Sequence, residues 1–60
     1  MLPSPSQVET ARRALKAIKD GGRPTKADAI ALQKYAGPIG RTVPIKDIAN
    51  EIMRLAKKSN

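Results

Sequence analysis

Residues 44–58 read PIKDIANEIMRLAKK, and the placement of four large aliphatic residues within them decides the fold class. Ile45, Ile48, Ile52 and Leu55 recur at spacings of three and four, the a/d pattern of a helix with one apolar seam. Ala49 and Ala56 widen the stripe. Pro44 suits the first helical position, where its missing N–H would have had no partner. Lys57 and Lys58 stand near the C-terminal end, where positive charge is favourable to the helix dipole. The pattern predicts a helix over about 44–58. So apolar a stripe belongs in a bundle core or, through Ile45, Ile48, Ile52 and Leu55, in a homodimer interface.

Reading back toward the N-terminus, Gly37-Pro38-Ile39-Gly40 suits a type I turn with proline at its second position and glycine at its fourth. Val43 precedes a proline and is pushed out of helical geometry. The preceding segment, KADAIALQKYA, is rich in helix formers and predicts a helix over 26–36, with Thr25 and Asp28 as a capping pair and Gly37 as its stop. Ile30, Leu32 and Tyr35 do not share one face, so this helix is expected to pack on more than one side and to be the central element. Before it, DGGRPTK (residues 20–26) ends one helix and starts the next: Gly21 supplies the left-handed residue, and Arg23-Pro24 prevents continuation.

The first helix is predicted over 5–20. Ser4, Pro5 and Gln7 form a capping box, with Ser6 and Glu9 offering the same box two residues later. Val8, Ala11, Leu15 and Ile18 make its apolar stripe, and Arg12, Lys16 and Lys19 a basic one beside it. The expected architecture is all-α: a small three-helix bundle, or a helix-loop-helix module with an additional N-terminal helix. It forms a single domain over 1–60, with residues 1–4 and 59–60 expected to fray. Leu2, Ile39 and Val43 are candidates to close the core at its edges.

The chain has 60 residues, and a domain of that size hides only about 60% of the surface of its unfolded chain. It contains no cysteine and no histidine, so disulfides and the commonest zinc ligands are not available as staples. Twelve Lys and Arg against five Asp and Glu give a net charge of +7, which favours polyanions, anionic membranes or an acidic protein face. MLPSPSQ has neither the charge nor the apolar run of a signal peptide, and no segment approaches the roughly 20 apolar residues of a membrane span. A cytoplasmic protein is expected.

An enzyme is not expected. A nucleophile would have to be Ser4, Ser6 or Ser59 activated by a lysine, and all three lie near the termini. Neither loop ends in the Gly-Lys-Ser/Thr of a phosphate-binding P-loop, and no metal or cofactor is expected. Asp47 and Glu51 are read as partners of Arg54 and Lys58 on one helix.

Positive charge gathers on the first helix, the two loops and the C-terminal end, which points to DNA. Arg12, Arg13, Lys16, Lys19, Arg23, Lys26 and Arg41 are the candidate phosphate or minor-groove contacts, with Lys46 and Asn50 as base readers should the second and third helices form a helix-turn-helix. Gly22-Arg23-Pro24 resembles the glycine-arginine-proline centre of an AT-hook, which implies a preference for A·T-rich DNA through the minor groove. Gly40-Arg41 repeats the glycine-arginine pair. Residues 30–52, IALQKYAGPIGRTVPIKDIANEI, resemble two helix-loop-helix families over less than half of the chain, with a shorter loop than either. One is the DNA-binding domain of actinobacterial nucleoid silencers. The other is the peripheral subunit-binding domain of 2-oxo acid dehydrogenase acyltransferases, a basic module that binds a protein. The expected function is that of a small DNA-binding regulator or accessory factor of bacterial, phage or plasmid type. The alternative is an adaptor whose basic face docks an acidic protein.

Overall fold

The computed structural model describes residues 2–58, which form three α-helices in order: α1 (Pro5–Lys19), α2 (Lys26–Ala36) and α3 (Ile45–Lys58). A single 3-10 turn, Gly37–Ile39, follows α2 directly. The all-α three-helix architecture read from the sequence is the one observed.

Local chemistry sets the ends of the helices. At α1, the Ser4 Oγ accepts from the Gln7 N–H at 3.1 Å and the Gln7 Oε1 accepts from the Ser4 N–H at 2.8 Å, a complete capping box. Ser4 is thereby bonded to the first turn of the helix. The fraying expected at residues 1, 59 and 60, and the possible nucleophile Ser59, lie outside the described residues. Gly21, at φ 84, donates to Ile18, and Gly22 donates to Ala17. These two bonds are the Schellman closure of a helix that stops at Lys19 with Asp20 as its cap. At α2, the Thr25 side chain caps the Asp28 N–H at 3.1 Å. Pro44 lies one residue outside α3: its carbonyl accepts from the N–H groups of Asp47 and Ile48, which makes it the cap and Ile45 the first helical residue.

The core is built chiefly where α1 meets α3, the largest helix pairing in the fold. Ala11 and Ala14 of α1 face Ile48, Ala49 and Ile52 of α3, and Leu32 of α2 completes the buried set. The alanines keep the helix backbones close, so few large side chains are needed to exclude water. Val8, Leu15, Tyr35, Val43, Ile45 and Met53 pack around this centre.

Three expectations are corrected here. First, α2 is not the central element. Leu32 is its one fully buried residue, and Ile30 is 44% exposed. Second, Ile48 and Ile52 are buried within the protomer, so the middle of the α3 stripe packs inside the bundle, while Ile45 and Leu55 are half-buried. The a/d stripe of α3 therefore reports an internal seam. Third, Leu2 and Ile39 are 61% and 60% exposed and do not close the core, although Val43 does. No helix among the described residues is long and apolar enough to cross a membrane.

Candidate nucleic-acid interface

The acidic residues determine which cations are available. Arg12 pairs with Glu9 at 3.4 Å, Lys16 with Asp20 at 3.4 Å and Arg54 with Glu51 through two hydrogen bonds. All three pairs are local and exposed, so each adds little stability. The fourth pair is different: Arg13 on α1 grips Asp28 on α2 with Nε at 3.1 Å and Nη2 at 3.0 Å from the two carboxylate oxygens. The Asp28 side chain is only 14% exposed. This bidentate contact ties the first two helices together.

Arg13's hydrogen bonds hold the Asp28 carboxyl below the ordinary carboxylate range, against a smaller opposing effect of burial. Because the folded value is depressed, the pair's contribution is complete above the unfolded value of about 3.9 and is lost as pH falls through the lower folded value. Asp28→Asn, which keeps the backbone N–H capped by Thr25, is therefore expected to lower the melting temperature at pH 7. The deficit relative to wild type should shrink steadily below about pH 4. Parallel melting curves across that range would show that the pair contributes nothing.

The Arg13–Asp28 contact also changes the surface of α2. Asp28 is the only acid on that helix, and it is turned toward α1. The solvent side consists of Lys26, Ala27, Ile30, Ala31 and Lys34, all exposed and without a carboxylate among them. Lys26 and Lys34 are eight residues apart, about 12 Å along the axis. Arg23 lies just before this face and Arg41 just after it, and neither forms an ion pair among the described residues.

The predicted contact residues thus separate into groups. Arg23 shares a shallow concavity with Arg13 and with Lys16, the latter from the α1 basic stripe, and Asp20 and Asp28 also line it. Arg41 lies elsewhere, in a depression with Ile30, Gln33 and Lys34. Lys19 and Lys26 are exposed and unpaired among the described residues, whereas Arg12, Arg13 and Lys16 are engaged by carboxylates. Lys46 and Asn50 are exposed on α3. Asp47 is exposed beside them with no cation partner among the described residues, and a carboxylate there repels phosphate. The connection over residues 37–44 is also longer than the three or four residues usual in a helix-turn-helix.

Lys34, which is not among the contact residues read from the sequence, lies on this acid-free face because Asp28 is turned away onto Arg13. Asp28 neutralises a residue fifteen positions away, and no local pattern announces that pairing. No protein-family model, curated protein or solved structure matches the chain.

Proposed function

We propose that this protein binds duplex DNA through the outer face of α2, with Lys26 and Lys34 on phosphates and Arg23 and Arg41 reaching the duplex from the flanking loops. The reading rests on one observation, the inward turn of Asp28 onto Arg13, which leaves α2 with an acid-free, cationic outer face. Ala27 and Ala31 let the helix backbone approach the polyanion closely. The contacts are of the kind that position a protein on the backbone and carry no base information by themselves. Sequence preference would come through Arg23 entering a narrow A·T-rich minor groove, in keeping with its glycine-arginine-proline setting. Such binding suits a small regulator or accessory factor.

Fluorescence anisotropy on a labelled duplex tests the reading. The expected result is binding at low salt whose log affinity falls linearly with log salt. Absence of binding at about 20 mM salt, where counterion release most favours the complex, would reassign the cationic face to an acidic protein partner.

A further inference from the structure

On another side of α2, a groove runs between that helix, the 3-10 turn and the start of α3. Tyr35, Ala36, Ile39, Val43 and Ile48 form its apolar lining, and Asp47 and Glu51 stand along its edge. Ile39 is 60% exposed there, a large aliphatic side chain held in water on the rim. The lining has two carboxylates and no cation, on a chain whose net charge is +7. Glu51 is bonded to Arg54. Asp47, by contrast, has no cation partner among the described residues and sits one turn from Glu51 along α3. The groove encloses about 190 Å³, below the roughly 300 Å³ at which small-molecule sites begin. It therefore fits one or two side chains of a peptide better than a metabolite.

We propose that this groove docks a short cationic amphipathic segment of a partner protein. One large aliphatic side chain would enter between Tyr35, Ile39 and Val43, and a Lys or Arg about one turn away would pair with Asp47. The occupant follows from complementarity. An aliphatic anchor covers the exposed Ile39 surface, and a cation answers the unpartnered carboxylate. An acidic segment would meet two carboxylates in the groove. A second copy would bring together two molecules of net charge +7. Because the groove and that outer face occupy different sides of α2, both can be filled at once.

The test is a titration of the 15N-labelled full chain with a synthetic helical peptide of Leu and Lys, matched against a Leu and Glu peptide of the same pattern. The Leu-Lys peptide is expected to shift the amide resonances of Tyr35, Ile39, Val43, Asp47 and Glu51, and the Leu-Glu peptide to leave them in place. Asp47→Lys should weaken binding of the Leu-Lys peptide at least tenfold, and Asp47→Asn by less. Ile39→Ser, at an exposed position that the fold does not need, should also weaken it and keeps the test valid if Asp47→Lys loses helix. Equal binding of both peptides, shifts scattered over the surface, or unchanged affinity in these variants would overturn the proposal. So would the same shifts appearing with protein concentration alone, which would assign the groove to a second copy.

Discussion

Ile52→Ala is expected to remove roughly half of the chain's folding stability at 25 °C. Ile52 is fully buried, and with Leu32 it is one of the two largest side chains completely removed from solvent. Truncating a buried isoleucine costs about 2–5 kcal/mol, from lost transfer energy and the cavity left behind. A chain of this length has roughly 3–9 kcal/mol of stability in total, and it has neither cysteine nor histidine for a staple. The small gain in helix propensity on going from isoleucine to alanine, well below 1 kcal/mol, does not offset the loss. Ile30→Ala removes the same atoms from an exposed site on α2 and should change stability by no more than about 0.5 kcal/mol. Urea melts followed by circular dichroism separate the two. Equal midpoints for Ile52→Ala and wild type would mean that α3 does not pack on α1 as described.

The second large effect is expected at Gly40, for a reason unrelated to backbone freedom. Its φ of −58 is ordinary for any residue. A Cβ at this position, however, would clash with the carbonyl oxygen of Gln33 and stand 2.9 Å from its carbonyl carbon. Both atoms belong to the α2 backbone and cannot swing aside as a side chain would. Gly40→Ala must therefore displace the 37–44 connection, with a cost of about 1–3 kcal/mol or more. Gly22→Ala makes an informative contrast, because its Cβ would meet only the Ala17 carbonyl oxygen at 3.4 Å. The Gly40 variant should have the lower urea midpoint by a clear margin. A Gly40 variant as stable as the Gly22 variant would show that the connection is free to move.

These two sites also mark how far the sequence could be read. Helix ends were legible to within a residue because their causes are local. Ser4 with Gln7, Gly21 with Gly22, Thr25 and Gly37 each act over a few positions. The close approach of Gly40 to Gln33 depends on how the loop folds back over the end of α2, and the residue type alone gave only a turn. Likewise the aliphatic stripe of α3 was visible. Its burial against Ala11 and Ala14 was not, since an alanine-rich α1 face promises little apolar area by itself. The cationic surface was legible as composition, whereas the Arg13–Asp28 pair, which redistributes charge between two helices, was not. Arg23, ambiguous in the sequence between hinge and contact, stands exposed next to Arg13 and Lys16, and at the head of the α2 face.

If α2 presents the DNA-binding face, its own lysines set the salt dependence of duplex affinity. Each phosphate contact contributes about 0.9 to the slope of log affinity against log salt. Lys26→Ala with Lys34→Ala should therefore reduce that slope by about 2 and weaken binding on all sequences alike. Lys57→Ala with Lys58→Ala removes the same formal charge from the end of α3 and should leave the slope close to wild type. Equal reductions in the two double variants would contradict the assignment to α2 and reduce the interaction to net charge alone.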